Sequence, residues 1–352
     1  MRLTIITDTW SPQVNGVVTV LRALVRELAL MGVETAVLHP GCGPTFALPG
    51  YQEIRVARAP WRVGAWLRET QPDAVHIATE GPLGWAARAW MLRNHWRFTT
   101  AMHSKFPEYM AVRTGLSPSL GYTILRRFHS PSSTLIVQTQ SQRQELSDRG
   151  FTRMCVVGGG VDLQRFRPQP RAVSETMREP APALFVGRVA VEKGLPAFLS
   201  LRLPMPKVVV GDGPAREQLQ RAYPDVRFLG YLHGDALVQA YSDAAVLVFP
   251  SRTDTFGLVL LEALACGTPV AAYPVTGPVD LIEDGVNGAL SEDLGTAVAR
   301  AVGLNRASCR TRAEQFEWSE VARRFLALQV SCSAAEPAWV NQVASSGFTP
   351  DG

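Results

Sequence analysis

No apolar run in the 352-residue chain reaches the roughly 18 residues that a membrane-spanning helix needs, so no spanning segment is expected. A secretion signal is not expected either, because Met1–Thr7 reads as a strand and Asp8 interrupts any apolar core there. Cysteine is scarce: Cys42, Cys155, Cys266, Cys309 and Cys332 are odd in number, scattered, and lack any Cys-x-x-Cys spacing. That excludes a disulfide framework and a zinc site, and with the missing signal it predicts a cytoplasmic protein with reduced thiols. A dinucleotide fingerprint is also missing. Gly158-Gly159-Gly160-Val161-Asp162 does not spell G-x-G-x-x-G opening a helix, and it reads as a turn leading into a linker. Nothing therefore supports a nicotinamide-dependent oxidoreductase. No Asp-x-Asp pair in a loop and no histidine cluster appears, so no essential metal or other cofactor is expected.

What is present is the composition of a packed globular protein, 46% hydrophobic and 19% charged, long enough for two domains. Short apolar strands alternate with amphipathic helical stretches. Leu3–Thr7, Thr35–His39, Ile54–Ala57, Ala74–Ile77, Phe98–Met102 and Leu135–Thr139 read as strands, with Val17, Leu21, Leu24, Val25 and Leu28 at helical spacing between the first two. Four prolines at 168, 170, 180 and 182 then mark a linker. The alternation restarts with Leu184–Val186, Val208–Val210, Arg227–Leu229, Val246–Phe249 and Pro269–Ala272. This is βαβ grammar, which predicts two α/β, Rossmann-like domains, each with a parallel sheet, facing each other across a cleft. The expected boundaries are 1–167 for the first domain, 168–182 for the linker, 183–311 for the second domain, 312–330 for a C-terminal helix within a helical stretch from Leu294, and 331–352 for a disordered tail.

The chemistry concentrates at the carboxyl ends of predicted strands, where ligands of such sheets bind. After Val246–Phe249 comes Asp254-Thr255-Phe256-Gly257-Leu258, with a helix beginning near Phe256 and Glu262 about two turns into it. Asp254 thus stands just ahead of a helix N-terminus, where free N–H groups and the dipole favour anions. Glu262 lies among apolar residues and needs a polar partner, which sugar and ribose hydroxyls would supply. Arg188 and Lys193 follow the first strand of the second domain and suit phosphates, Arg as a bidentate donor and Lys as a point charge. In the first domain, Gly16 between strand and helix would let backbone N–H groups approach a diphosphate. His103 follows Phe98–Met102, Asp8 follows the first strand, and Thr79, Glu80 and Gly81 complete a polar rim.

Charge is uneven. Between Gly81 and Ser130 seven basic residues, Arg126 and Arg127 among them, face one acidic residue, Glu108, a balance of +6 that leaves −2 for the rest of a chain of net +4. Trp85, Trp90, Trp96, Phe98 and Phe106 interleave with these charges. The pattern suits an anionic surface, and it equally suits a solvated basic face over a buried aromatic core.

Several stretches carry a further resemblance: Pro12-Gln13-Val14-Asn15-Gly16-Val17-Val18, His103-Ser104-Lys105-Phe106, Gly187-Arg188 with Glu192-Lys193-Gly194, Gly211-Asp212-Gly213-Pro214, and Thr253–Ala263 followed by Ala265-Cys266-Gly267-Thr268-Pro269-Val270. Together they resemble the retaining glycosyltransferases of family 4, which share the two-domain GT-B fold and include lipid glycosyltransferases. The resemblance runs to about residue 330. It implies metal-independent transfer of a hexosyl group from a nucleotide-sugar with retention of configuration. Arg188 and Lys193 would neutralise the departing phosphates, and Gly16 would face the diphosphate. Asp254 would contact the transferred sugar near the amides of Phe256, Gly257 and Leu258. Glu262 would bind the ribose, His103 would face the reacting sugar, and the base would lie near Gly230, Tyr231 and Leu232. The family motif usually opens with Glu where this chain has Asp254, which leaves the donor open among UDP-glucose, UDP-glucuronic acid, UDP-sulfoquinovose and GDP-mannose. The resemblance to diacylglycerol glycosyltransferases implies a lipid acceptor. With the basic segment 81–130, it implies peripheral attachment to the anionic inner face of the plasma membrane, with no nucleic-acid partner. A polysaccharide or lipopolysaccharide acceptor and a nucleotide-sugar epimerase of the same fold are the alternatives.

Overall fold

The structure is a computed structural model, and it describes residues 1–13, 15–48, 51–108, 115, 117–170 and 180–332. Val14, Arg113, most of the expected linker and the expected tail from residue 333 lie outside the described residues.

Strands β1 (Arg2–Ile6), β2 (Glu34–Leu38), β3 (Thr45–Leu48), β4 (Tyr51–Ala57), β5 (Ala74–Ile77), β6 (Thr99–Met102), β7 (Leu135–Val137) and β8 (Met154–Val156) belong to the first half. Six of them form one sheet in the order β2-β1-β5-β6-β7-β8, with every pairing parallel. The second half holds β9 (Ala183–Val186), β10 (Lys207–Val210), β11 (Arg227–Gly230), β12 (Val246–Phe249), β13 (Val270–Ala272) and β14 (Gly288–Leu290) in a parallel sheet of order β11-β10-β9-β12-β13-β14. These are the two Rossmann-like domains expected. Ile54–Ala57 departs from expectation: it lies in β4, which pairs antiparallel with β3 and joins neither large sheet.

Local signals explain the first helix, Gly16–Leu30. Asn15 caps it by accepting the Val18 N–H at 3.0 Å, and Val18, Leu21, Leu24 and Leu28 bury one face. Gly32, at φ 76, ends it in the left-handed conformation that glycine tolerates. The expected helical stretch from Leu294 divides into Leu294–Ala301, Arg306–Ala313 and Trp318–Ala327. The last of these returns to the first half. Trp318, Val321, Ala322 and Phe325 pack with Leu3, Ile5, Leu21, Leu24 and Leu28, each large apolar side chain contributing roughly 1.5–3 kcal/mol by leaving water. The chain therefore crosses between the halves twice. At the second crossing Val161 and Glu317 form a bridge, with the Val161 N–H donating to the Phe316 carbonyl at 2.8 Å. The first crossing passes through Gly158-Gly159-Gly160, which proves to be more than a turn. A Cβ on Gly158 would meet the Phe256 ring at 2.6 Å, and one on Gly159 would meet Leu258 at 2.5 Å. The glycines let the second half press against this strand.

Candidate active site

β9 and β12 are neighbours in the second sheet, so the loops after them share one edge. The loop after β9 carries Arg188, half-buried, and then the short turn Val191–Lys193. That turn closes on Gly194 at φ 65, where a Cβ would stand 2.6 Å from the Pro250 carbonyl oxygen at the end of β12. The close approach sets Lys193 against the loop after β12. Its Nζ donates to Asp254 Oδ1 at 2.5 Å, in an ion pair whose side chains are 24% and 14% exposed. Asp254 Oδ2 is buried without a hydrogen-bond partner among the described residues. A carboxylate oxygen so placed costs free energy unless a donor meets it, so it is available to accept a hydrogen bond. The helix that follows runs Leu258–Ala265, and its cap is Gly257 at φ 91 rather than Asp254.

Glu262 lies two turns into that helix. One of its oxygens has a partner within the protein: Tyr241, itself fully buried, donates its hydroxyl to Glu262 Oε2 at 2.7 Å. Burial raises both acids, Tyr241 well above the ordinary phenol range, while the Tyr241 hydrogen bond and the charge of Arg165 oppose the rise at Glu262. Sequence reasoning missed Tyr241 because it falls on the buried face of helix Gly234–Asp243 with Val238 and looks like plain core. At the end of β11, Tyr231 is half-exposed and stacks on His233 with ring centroids 6.2 Å apart, and Leu232 packs on the core of the second half.

Across the seam, the carboxyl ends of β1, β5 and β6 lie side by side. Asp8 is occupied in holding the fold. Its Oδ1 accepts the Leu83 N–H at 2.8 Å, and its Oδ2 accepts the Gly84 N–H at 3.2 Å and the Thr79 hydroxyl at 3.0 Å. It thereby caps helix Pro82–Arg93, whose own N-cap, Gly81, has no side chain to do so. His103 follows β6 on the same edge. Burial pushes its imidazole down to about 4, against the Glu80 charge and a hydrogen bond with Gln138, so it is neutral at pH 7. Its Nε2 is buried without a partner among the described residues. The Thr255 hydroxyl donates to the His103 carbonyl oxygen at 2.6 Å, tying the residue beside Asp254 to the first half. Further straps cross the seam, among them Lys105 Nζ donating to Thr276 Oγ1 at 3.1 Å and the Ser141 N–H donating to Asp280 Oδ1 at 2.9 Å. Gly16 opens the first helix with nothing within 4 Å of a Cβ placed there, so the space beside it is open.

The structure thus brings Lys193, Asp254 and His103 to one seam, with Arg188 on the Lys193 loop. Phe256 and Leu258 pack into the contact between the halves. Glu262 with Tyr241, and Tyr231 with Leu232, stand further along the second half. The tryptophans of the basic segment are core: Trp85, Trp90 and Trp96 pack on a buried cluster, with Trp85 against Phe128 and Trp90 against Trp96. Arg88 donates to the Phe128 and Arg127 carbonyls. Phe106, Leu120 and Ile124 remain exposed, at 56%, 59% and 49%.

Residues 14–165 match the family described as Glycosyltransferase Family 4, and residues 181–304 match Glycosyl transferases group 1. The chain is 30% identical over 316 residues to a GDP-mannose-dependent alpha-mannosyltransferase of Corynebacterium glutamicum, covering 82% of this chain and 76% of that one. It is 27% identical over 347 residues to an alpha-monoglucosyldiacylglycerol synthase of Streptococcus pneumoniae, covering 86% and 78%. Sucrose-phosphate synthase from Thermosynechococcus elongatus has a similar fold, with a TM-score of 0.76 at 21% identity over 93% of this chain and 98% of that one.

Proposed function

Because the chain belongs to glycosyltransferase family 4, has the GT-B fold and is a hexosyltransferase that uses nucleotide-sugars, we propose that it moves a hexosyl group from a UDP- or GDP-sugar to a membrane lipid such as diacylglycerol, retaining configuration and needing no metal. The observation that carries the proposal is the Lys193–Asp254 pair at 2.5 Å, whose second carboxylate oxygen is buried and unpartnered among the described residues. Asp254 Oδ2 accepts a hydroxyl of the transferred sugar near the Phe256, Gly257 and Leu258 amides. Lys193 and Arg188 take up the charge of the departing diphosphate, which is the work a metal would otherwise do. Gly16 lets the first half approach that diphosphate. Neutral His103 faces the reacting sugar as a hydrogen-bonding group. Glu262 binds the ribose through the oxygen that Tyr241 leaves over, and Tyr231 and Leu232 flank the base.

A screen of UDP-glucose, UDP-glucuronic acid, UDP-sulfoquinovose and GDP-mannose with diacylglycerol, read by mass spectrometry of the lipids, tests this reading. A glycosylated lipid from one donor supports it, and none from any donor overturns it. Glu262→Ala and Lys193→Ala should each lower transfer about a hundredfold or more, and activity near that of the unaltered chain in both would refute the site assignment.

The lipid substrate calls for attachment to a bilayer. Among the described residues no helix is long and apolar enough to span one. Leu120, Ile124 and Arg127 share one face of helix Pro118–His129, apolar residues followed by a cation, as interfacial attachment to an anionic cytoplasmic leaflet requires. Sedimentation with anionic liposomes should weaken with salt and with Arg126/Arg127→Glu. Binding indifferent to both would refute attachment by charge.

A further inference from the structure

The first half holds a second titratable pair that the site above does not use. Glu80 follows β5, the strand between β1 and β6, and so stands between Asp8 and His103 at the carboxyl edge. Its charge reaches both neighbours: it adds to the rise in Asp8 and opposes the fall in His103. Asp8 is committed to capping a helix. Glu80 is not. His129 Nε2 lies 3.1 Å from Glu80 Oε1, and the other carboxylate oxygen makes no hydrogen bond among the described residues. The His129 side chain is 1% exposed and the Glu80 side chain 22%. One end of the pair is in the core, and the other is partly exposed.

The protons of this network follow from counting donors. The Ser132 hydroxyl donates to the His129 carbonyl at 2.8 Å, which uses its single hydrogen. The Thr100 hydroxyl must then donate to Ser132 Oγ, at 3.1 Å. His129 Nδ1 lies 3.0 Å from Thr100 Oγ1, whose hydrogen is spent, so Nδ1 is the donor. That fixes the ring and leaves Nε2 facing Glu80. Phe128 and Phe151 flank the ring, with centroids at 4.9 and 6.3 Å, and neither offers a competing polar partner. Glu80 is thereby held with its remaining oxygen as an acceptor, on the half opposite Lys193 and Asp254.

We infer that Glu80 binds the nucleophilic hydroxyl of the acceptor, and that His129 is its positioning residue. The inference rests on the transferase reading above. A hydroxyl attacking a sugar carbon must present a lone pair to it. A carboxylate that accepts the hydroxyl hydrogen fixes that rotor, and a carboxylate wired to buried hydroxyls does so without a search of its own.

The test is steady-state transfer by the full chain with each substrate varied in turn, alongside calorimetric binding of UDP and GDP. Glu80→Gln should lower kcat/KM for the acceptor tenfold or more, leaving the donor KM and nucleotide affinity within twofold. Glu80→Asp, which keeps the charge but withdraws it, should fall between. His129→Phe should reproduce the acceptor defect, and His129→Gln, which keeps an N–H for Glu80, should recover part of it. A general structural role would shift donor and acceptor parameters together. If the unaltered chain transfers and Glu80→Gln keeps acceptor kcat/KM within twofold, this inference alone is overturned. If the unaltered chain transfers from no donor, the function proposed above falls and takes this inference with it.

Discussion

The two halves of the molecule meet at one seam with different chemistry. Five of the six histidines, His39, His76, His95, His103 and His129, lie in the first half. Three of these are held in or beside the core of its sheet: His76 against Thr99 at 2.9 Å, His129 against Thr100, and His103 with an Nε2 unpartnered among the described residues. The second half brings a fixed ion pair, Lys193–Asp254, and a carboxylate held by a phenol, Glu262–Tyr241. The difference fits what each half is proposed to meet. A diphosphate carries permanent charge and calls for permanent cations, whereas an acceptor hydroxyl is neutral and gives up a proton, so it calls for groups that can switch between donor and acceptor.

The comparison breaks if charge in the second half is dispensable. Lys193→Ala should lower kcat by about 10²–10³, the size of loss seen when one preorganised stabilising group is removed. It should also destabilise the fold by about 3–5 kcal/mol, because Asp254 is left buried without its cation. Chemical denaturation and single-turnover rates on one preparation check both. Stability against pH probes the first half. Burial depresses His76 to about 3 in the fold, against about 6.5 unfolded. The unfolded chain therefore binds more protons at this residue below pH 6.5, and stability falls as pH drops through that window. By pH 4.5 the His76 contribution should reach about 2–3 kcal/mol. His76→Gln should flatten the acid limb of denaturant midpoints measured between pH 4.5 and 7.5, and an unchanged slope would count against the buried-histidine account. Tyr241→Phe is smaller. Loss of a hydrogen bond to a charged group is worth roughly 1.5–3 kcal/mol, so the donor KM should rise about tenfold with kcat little changed, while the acceptor KM stays put.

Much of this division is legible in the order of residues, and the misses share a cause. Ala74–Ile77 and Val246–Phe249 are observed at the ends expected, because β-branched runs between turn residues leave little choice of boundary. β8 (Met-Cys-Val) holds one β-branched residue and β14 (Gly-Ala-Leu) none, so strand composition does not mark them. Ile54–Ala57 has strand composition, yet composition does not say which sheet a strand joins. In the site, position after a strand end points to Lys193, Asp254 and His103, and the structure places all three beside the seam. The contacts that define it, Thr255 to His103, Tyr241 to Glu262 and His129 to Glu80, join residues 152, 21 and 49 positions apart. No local pattern encodes such pairings. Tyr241 and His129 also sit on buried helix faces, where an aromatic reads as packing.

The smallest expected effect is the most specific. Asp254 has a shorter side chain than the glutamate that the family resemblance leads one to expect there, and it is already matched to Lys193 at 2.5 Å. Asp254→Glu keeps the charge, so the ion pair can re-form and transfer should survive within about tenfold, since carboxylate and ammonium remain within contact range. The added methylene moves the free oxygen by about one carbon–carbon bond, roughly 1.5 Å by standard geometry, enough to exchange one sugar hydroxyl for another as its partner. A misplacement of that order alters rates when it falls at the reacting group. The relative kcat/KM for the four donors should therefore be reordered by several-fold, with UDP and GDP affinities unchanged because the base and ribose contacts lie elsewhere. If the ratios among the donors do not move while the overall rate does, residue 254 holds Lys193 in place and does not read the sugar. The selectivity of the second half would then lie in the loops after β9 and β11.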